Sequence, residues 1–379
     1  MRIMMLVIHF PLDIEQIQGG VHSAVSNLLK GLSNFNIQVR MISFNKEISE
    51  ERHVQYSENI DIIYCPEGTY PLHSLNYLLK CSFKVKKHIR KFNPDLIHYE
   101  AGDAFLFTKL FGLKNKKYLQ TIHGIAIAEG KINRKLKVKM SSYFNGLVEK
   151  IMFPKNIIHL SNYSQEIYKD KKIEHYAIIP NAVVDAYFNL PVKTATDNRL
   201  LYMGVIDRNK NIMFLLHCLK AVVDRKKPYH VDVLGGFKDE VFKDEVFKFI
   251  KDNGLAPYVH FHGWVPQSAV VPIVGAADML VVSSKQESLP MVIAECMSAG
   301  KVVIASRVGG IPEMINHGVN GYLMDINQPE TLIEVLDDLY NNQSKVKVLS
   351  EKAKADAVNK YHCKSVAERT IAFYKEVSK

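Results

Sequence analysis

Short apolar runs alternate with longer segments of helical periodicity along most of the chain. The first run, from Ile3 to Phe10, predicts a buried strand. Behind Gly19 and Gly20, apolar residues recur every three or four positions, which predicts a helix that begins just after the two glycines. Further strands are predicted at 39–44, 96–98, 118–122, 157–160 and 176–179. Strands and helices in this order are typical of parallel βα units.

The same alternation starts again near residue 198, after a weakly patterned segment at 182–197. Strands are predicted at 199–203, 230–234, 259–262, 279–282 and 302–305, and each ends at a turn or a glycine. We therefore predict an α/β fold of two doubly wound, Rossmann-like domains that face a central cleft. Such folds bind ligands at the carboxyl ends of their strands, where functional residues are expected.

Composition narrows the class of protein. The 379 residues include 47% hydrophobic and 23% charged residues, which is typical of a soluble globular protein. No run of about 18 apolar residues is present, and the first residues lead into acidic positions without a small-residue cleavage site, so we expect a cytoplasmic protein. The five cysteines are far apart and form no CxxC pair, which suggests neither a zinc site nor a disulfide framework.

The net charge of +10 is concentrated in the first half of the chain. Residues 1–200 hold 27 Lys and Arg against 18 Asp and Glu, a balance of +9, whereas residues 201–379 hold 22 against 21. The basic residues cluster at 84–91, 114–117 and 131–139. These clusters are compatible with binding to nucleic acid, anionic lipid or a phosphorylated acceptor, and equally with a solvated surface.

Two glutamates eight positions apart, Glu287 and Glu295, flank the predicted start of a helix. Free amides at a helix N-terminus and the positive end of its dipole favour a phosphate or a sugar oxygen. The candidate donor-binding residues at this terminus are Leu289, Pro290 and Met291, and the free amides of Leu289 to Val292 are expected to point into the cleft. Glu287 is placed to accept hydrogen bonds from sugar hydroxyls, and Glu295 from a ribose diol. The alternative is a helix cap with a surface glutamate.

A strand end followed by two cations forms a second candidate site, from Gly204 to Asn211. Arg208 can meet a diphosphate with two hydrogen bonds and Lys210 as a point charge, so this turn is a candidate pyrophosphate clamp. An ordinary basic turn at a helix start is the alternative. The chain has no G-x-x-x-x-G-K-[ST] motif, which excludes a P-loop. At Gly19 and Gly20, the lack of a side chain lets backbone amides approach a phosphate closely.

In this order, these residues resemble the family-four retaining glycosyltransferases of the GT-B fold over nearly the whole chain. The resemblance rests on Gly19-Gly20-Val21, Asp95-Leu-Ile-His98, Thr121-Ile-His123-Gly124, Ile179-Pro-Asn181, Gly204 to Lys210, Phe261-His-Gly263-Trp-Val265, Ala277-Asp278, the Glu287 and Glu295 pair at E-x7-E spacing, Gly309-Gly310-Ile-Pro-Glu313 and Asn320-Gly321-Tyr-Leu323. One such motif would mean little, whereas the ordered set identifies the family.

The resemblance implies transfer of a sugar from a nucleotide-diphosphate sugar to a glycan, lipid-linked or small-molecule acceptor. It also implies retention at the anomeric carbon and a reaction that uses no metal and no other cofactor. Four catalytic residues are implied. Arg208 and Lys210 would neutralise the diphosphate leaving group. Glu287 would hold the donor sugar, and His123 would face the transferred sugar.

The resemblance also assigns the remaining donor contacts and the domains. Glu295 would hold the ribose, Gly19, Gly20 and Gly204 would lie beside the diphosphate, and Val265 would lie near the base. The implied domains are an acceptor-side domain at 1–185, a nucleotide-sugar domain at 186–364 and a helix at 365–379 that packs back on the first domain. One departure is Val205, where the family often has arginine, while Lys210 keeps the usual spacing.

Other functions are compatible with parts of the pattern. A nucleotide-sugar epimerase of the same fold would need no acceptor, and a nucleic-acid-binding protein would use the basic half. The chain shows no zinc-finger or RRM-like motif, so we expect no nucleic-acid partner. An NAD-dependent oxidoreductase is disfavoured because no G-x-G-x-x-G follows the first strand. We expect instead a role in polysaccharide biosynthesis, with Lys131 to Lys139 docking on the inner face of an anionic membrane.

Overall fold

A computed structural model describes residues 1–13, 19–67, 81–100, 116–124, 153–193 and 197–379. The chain forms two compact units, one containing 1–182 together with 363–379 and the other containing 183–362. The domain boundaries expected from the sequence are at 185 and 364. The chain returns to the first unit at Cys363, so the C-terminal helix belongs to that unit.

The first unit is built on a sheet that has eight strands in the described residues. The strands are β1 (Arg2–Ile8), β2 (Gln38–Asn45), β3 (Arg52–Ser57), β4 (Ile60–Pro66), β5 (Leu96–Tyr99), β6 (Lys117–Ile122), β7 (Asn156–His159) and β8 (His175–Ile178). Their order is β3-β4-β2-β1-β5-β6-β7-β8, and only the β3–β4 pair is antiparallel. The direction of winding reverses between β1 and β5, which is the switch point of this sheet.

The second unit has a six-stranded sheet in which every pair is parallel. The strands are β9 (Arg199–Met203), β10 (His230–Leu234), β11 (Val259–Gly263), β12 (Met279–Val282), β13 (Val302–Ser306) and β14 (Gly321–Met324). Their order, β11-β10-β9-β12-β13-β14, places the switch point between β9 and β12. The predicted doubly wound α/β fold is confirmed, and the predicted strands are present. Strands β3, β4 and β14 are additional to them.

Helices connect the strands in both units. In the described residues they are α1 (Gly20–Leu32), α2 (Ser82–Phe92), α3 (Asn162–Ile167), α4 (Asp185–Phe188), α5 (Ile212–Asp224), α6 (Glu240–Asp252), α7 (Gln267–Ala276), α8 (Met291–Ser298), α9 (Glu330–Asn341), α10 (Gln343–Tyr361) and α11 (Cys363–Val377). Among them, none combines the length and the apolar character that a membrane span requires. The predicted helix behind the glycine pair is α1, and the one predicted near Pro290 is α8.

Each unit has its own hydrophobic core. In the second unit, Leu200, Val233 and Ile304 from three strands are fully buried, and helices such as α5 and α9 add apolar side chains to the same cluster. Parallel strands with both faces covered are expected to appear as continuous apolar runs, which explains why they are recognisable in the sequence.

Helix α11 packs directly against α1 in the first unit. A Cβ at Gly31 would lie 2.3 Å from the carbonyl oxygen of Cys363, so the two helices approach this closely only because position 31 is glycine. His98 in β5 adds a buried polar contact: its Nδ1 lies 2.7 Å from the hydroxyl of Tyr374 in α11, and its Nε2 lies 2.7 Å from Oγ1 of Thr121. These contacts fix the last helix on the sheet.

Candidate active site

Two loops of the second unit meet at the switch point between β9 and β12. One runs from Gly204 to Asn211 after β9, and the other from Ser283 to Pro290 after β12. The backbone N–H of Lys285 donates to the Asn209 carbonyl at 2.8 Å, and the Asn209 side chain donates to the Gln286 carbonyl at 3.2 Å. The two candidate motifs of this unit therefore belong to one site.

The position of Lys210 is fixed by Asp207. One Asp207 side-chain oxygen accepts the backbone N–H of Asn209 at 2.9 Å and that of Lys210 at 2.8 Å, an Asx-type turn that leads towards α5. At the start of the turn, Gly204 has a φ of 133°, and a Cβ there would meet nothing within 4 Å. Open space therefore lies beside the backbone at the end of β9.

Lys210 and Glu287 form an ion pair across the two loops. The Nζ of Lys210 lies 2.5 Å from Oε1 of Glu287, and the hydroxyl of Ser284 donates to the same oxygen at 2.7 Å. The Lys210 side chain is 31% exposed and that of Glu287 is 10% exposed. The Lys210 ammonium is thus held in position by the protein before any ligand arrives.

The backbone of Glu287 packs against a glycine in the loop after β13. Gly309 has a φ of 55°, and a Cβ there would lie 1.7 Å from the Glu287 carbonyl oxygen. A side chain at this position would displace the loop that carries Glu287. Gly309 therefore helps to hold in place the loop that carries Glu287.

The N-terminus of α8 follows the same loop. Leu289, Pro290 and Met291 are buried there, and Pro290 is the N-cap. Pro290 has no N–H, so the expectation that each of these residues offers an amide is wrong at this position. The N–H of Ile293 donates to the Pro290 carbonyl at 3.2 Å. The first-turn amides that have no partner within the helix are those of Met291 and Val292.

Glu295 lies one turn inside α8 and is 6% exposed. Burial raises the pKa of its carboxyl to about 7. Tyr187 on α4 is also buried, and burial together with the neighbouring Glu295 carboxylate raises the pKa of its hydroxyl. Sequence reasoning missed Tyr187 because α4 is a single turn within the weakly patterned segment. Its hydroxyl lies beside the glutamate predicted to hold the ribose.

The structure pairs Arg208 with α6 and not with Glu287. Its guanidinium lies 2.6 Å from the carboxylate of Glu245 and over the ring of Phe242, 4.8 Å from the ring centre. The Arg208 side chain is 61% exposed, so this ion pair is solvated and weak. Lys210 and Glu287 are brought together, whereas Arg208 is directed to a neighbouring helix.

The end of β11 carries an exposed indole. A Cβ at Gly236 would lie 2.1 Å from Nε1 of Trp264, so the indole rests directly on glycine backbone. Trp264 is 49% exposed, and Val265 next to it is half-buried. An aromatic face held in this way is a surface on which a planar base can stack.

In the first unit, the glycine pair opens α1 as predicted. Gly19 has a φ of 95°, and a Cβ there would meet nothing within 4 Å, while Gly20 is the first residue of the helix. Among the described residues, nothing fills the space beside Gly19, and the first-turn amides have no partner within the helix, so an anion could approach this surface.

His123 lies just after β6 and is held by a carboxylate that the sequence analysis did not identify. Its Nε2 is 2.8 Å from Oε2 of Glu100, which directly follows β5 and is 1% exposed. Although burial would raise the pKa of Glu100, His98 and His123 beside it hold the pKa below its usual value. The charged Glu100 carboxylate accepts a hydrogen bond from the Nε2–H of His123 and thereby fixes the orientation of the imidazole ring. Glu100 could have been identified from the sequence because it directly follows a predicted strand.

Comparison with known protein families agrees with this architecture in both units. A family model described as Glycosyltransferase Family 4 matches residues 18–186. A second, described as Glycosyl transferases group 1, matches residues 185–356 and therefore includes the Lys210 and Glu287 site.

Individual proteins are similar over nearly the full chain. An uncharacterized 41.2 kDa protein in the cps region of Klebsiella pneumoniae is 27% identical, over 98% of this chain and 99% of that protein. The structure of sucrose-phosphate synthase from Thermosynechococcus elongatus has a TM-score of 0.81 at 18% identity, over 99% of this chain and 98% of that one. The structure of HepE from Anabaena, in complex with UDP and glucose, has a TM-score of 0.75 at 17% identity. The match covers 98% of this chain and 99% of that one. At these identities the two structures share the fold.

The ionisation of Glu295 predicts a pH-dependent affinity for nucleoside diphosphates. A carboxylate accepts hydrogen bonds from both hydroxyls of a ribose, so binding favours the ionised form, which is lost as the pH falls through about 7. We expect UDP, as the first probe, to bind about tenfold more weakly at pH 6 than at pH 8. Titration calorimetry at the two pH values measures this ratio.

Glu295→Gln should bind UDP weakly and with no such pH dependence, whereas Glu240→Gln, on the exposed face of α6, should behave as wild type. A ratio near one in the wild-type protein would show that Glu295 does not contact the ribose.

Proposed function

The chain belongs to the family-four glycosyltransferases of the GT-B fold, and on this premise we propose that it transfers a sugar from a nucleoside-diphosphate sugar to an acceptor hydroxyl with retention at the anomeric carbon. The observation that carries this proposal is the ion pair of Lys210 and Glu287 at the switch point of the second unit. In this pair, Lys210 is the cation proposed to meet the leaving group, and Glu287 is the proposed hydrogen-bond acceptor for sugar hydroxyls.

The ion pair suggests how donor binding prepares the reaction. In the free protein, Glu287 holds the Lys210 ammonium in position. A diphosphate competes for that ammonium, and the released carboxylate can then accept hydrogen bonds from the donor sugar. As the glycosidic bond to the diphosphate breaks, negative charge develops on the leaving oxygen, and Lys210 stabilises it. Lys210 thus supplies the charge that a divalent cation supplies in other transferases, so we propose a metal-independent reaction.

The other proposed contacts with the donor follow from the position of the Lys210 and Glu287 ion pair. We assign the diphosphate to the amides of Met291 and Val292 and to the open backbone at Gly204, and the ribose to Glu295. A hexose is the proposed sugar, an assignment that the UDP and glucose in the HepE structure support. His123, fixed by its hydrogen bond to a buried glutamate, is assigned to the transferred sugar.

Lys210 and Glu287 should act as one unit. Lys210→Ala should lower turnover by about 100-fold or more, the usual cost of losing one preorganised stabilising group. Glu287→Gln should mainly lower kcat, and the double variant should lose less than the two single effects combined, because Glu287 also holds the Lys210 ammonium in position. Steady-state kinetics with the cognate donor measures this coupling.

Lys243→Ala is the matched control, since that lysine forms a comparable ion pair on the exposed face of α6. Near-normal turnover in a folded Lys210→Ala variant would contradict the proposed role of the ammonium. Arg208→Ala should have the smaller effect, because Arg208 is engaged by α6.

A panel of nucleotide sugars identifies the donor and tests the stereochemistry. The true donor should raise the melting temperature by mass action. In the presence of an acceptor, the product should keep the anomeric configuration of the donor, as read from the anomeric proton in NMR spectra, and chelation of metals should leave the rate unchanged. An inverted product would overturn retention. Conversion of the donor into its epimer without an acceptor would identify an epimerase instead.

We further propose that a basic face of the first unit contacts anionic lipid, so that a lipid-linked acceptor can be reached. Lys131 to Lys139, the segment expected to do this, lie outside the described residues. The described basic run forms α2, whose Phe83 is 63% exposed and lines an open groove with Lys86, Lys87, Arg90 and Lys91. An aromatic side chain among basic ones is typical of helices that lie on a membrane surface.

Replacing three basic residues of α2 should weaken membrane binding. Each contributes about 1 kcal/mol near an anionic surface, so the variant Lys86→Gln, Lys87→Gln, Lys91→Gln should partition about 100-fold less onto phosphatidylglycerol vesicles. Co-sedimentation at low and high salt measures this, and wild-type binding should fall as salt screens the charges. A triple variant on the second unit, Lys220→Gln, Lys243→Gln, Lys248→Gln, is the control. Equal binding of the wild-type protein to neutral and anionic vesicles would contradict the proposal.

A further inference from the structure

Four residues with metal-binding side chains meet at the outer edge of the first sheet. Glu51 and His53 flank the start of β3, Cys65 lies near the end of β4, and His88 is on α2. The antiparallel register pairs Arg52 with Tyr64 and thus sets Glu51 opposite Cys65. Because side chains alternate along a strand, Glu51 and His53 point to the same face.

The ligand atoms of Glu51, Cys65 and His88 are close enough to share one ion. Oε2 of Glu51 lies 3.1 Å from Nε2 of His88 and 4.0 Å from Sγ of Cys65, and the ligand atoms of these three residues all lie within 4.8 Å of one another. The other Glu51 oxygen lies 2.7 Å from Nε2 of His53. Ligand atoms around a tetrahedral zinc ion, with bonds of about 2.0–2.3 Å, are about 3.3–3.8 Å apart. Small side-chain adjustments therefore suffice.

The four residues form a pocket that is open on one side. Cys65 and His88 are buried, whereas the side chains of Glu51 and His53 are 35% and 59% exposed. An ion can enter past the exposed pair and reach the buried thiol and imidazole.

The neighbouring cations already have partners. Arg40 pairs with Asp61 at 2.6 Å, and the Nζ of Lys84 donates to the Pro66 carbonyl at 2.9 Å. They therefore reduce the affinity for a cation less than unpaired charges would.

We propose that Glu51, Cys65 and His88 bind one Zn²⁺, while His53 orients the Glu51 carboxylate through its contact with the other oxygen. One imidazole, one thiolate and one carboxylate form a donor set that suits a borderline-soft, tetrahedral ion, with solvent in the fourth position. Binding releases the Cys65 thiol proton to solvent and forms three bonds from the protein to the metal, with no change in oxidation state. The ion would join the exposed edge strand β3 to helix α2. This site is separate from the proposed transfer chemistry and does not depend on it.

Cobalt spectroscopy on the full chain tests the site, since Co²⁺ reports thiolate coordination by a charge-transfer absorption band. Wild-type protein should bind one Co²⁺ with this band, and Zn²⁺ should displace it. Cys65→Ala should lack the band, whereas Cys218→Ala should keep it, because Cys218 is equally buried but lies in the second unit. The absence of the band in the wild-type protein, or its survival in Cys65→Ala, would overturn the proposal.

A second pair of variants avoids the buried thiol and its effect on folding. Glu51→Gln should weaken Zn²⁺ binding by about 100-fold or more, since loss of an outer-shell partner alone costs 10–100-fold. Glu50→Gln, the adjacent exposed glutamate, should bind Zn²⁺ as wild type does. Equal Zn²⁺ affinities of the two variants in titration calorimetry would rule out the carboxylate as a ligand and with it the site.

Discussion

The burial of parallel strands on both faces is the constraint from which the rest of this protein follows. Most side chains on the strands of the second sheet are apolar and buried, and the one buried carboxylate of β10, Asp232, is paired with Arg199 and His262 on the neighbouring strands. The charged groups of the candidate site lie instead where the strands end, and an opening forms at the switch point, where adjacent loops diverge to opposite sides of the sheet. Lys210 and Glu287 come from the two loops at that point, and Glu295 from the helix that follows.

Close backbone contacts then fix the geometry of these loops. A Cβ at Gly235 would lie 2.0 Å from the carbonyl oxygen of Gly204, just as one at Gly309 would lie 1.7 Å from that of Glu287. In both cases the neighbouring atom belongs to the backbone, which cannot rotate away as a side chain can. The loops that present the cation and the carboxylate are therefore held by the shape of their neighbours as well as by hydrogen bonds.

The sequence allowed prediction of the features that are local and periodic. The buried strands, the helix behind Gly20 and the spacing of Glu287 and Glu295 are readable because each depends on residues near one another in the chain. The partners of those residues depend on register and packing. Glu100 reaches His123 only because β5 and β6 pair, and Tyr187 reaches Glu295 only because α4 packs against α8.

Charged residues also divide in this way: the local sequence predicts where they occur, and packing decides which partners they contact. The residues of the turn after β9 identified Arg208 as a cation near the site. They did not predict which way its side chain extends, because Glu245 and Phe242 on α6 determine that. The cysteine spacing likewise gave no sign of a metal site, because the ligands around Cys65 come from a hairpin and a helix with no recognisable interval.

The packing of α11 against α1 affects the order in which the two units can fold during synthesis on the ribosome. The core of the first unit includes Val366, Phe373 and Tyr374, which follow the whole second unit in the chain. That unit therefore cannot be completed until all of residues 183–362 have emerged, although chains generally fold from the N-terminal domain onwards. Only the second unit is continuous in sequence. During translation, the surface of α1 at Gly31 stays uncovered until α11 has emerged, so the first unit closes only after the second unit has been synthesised.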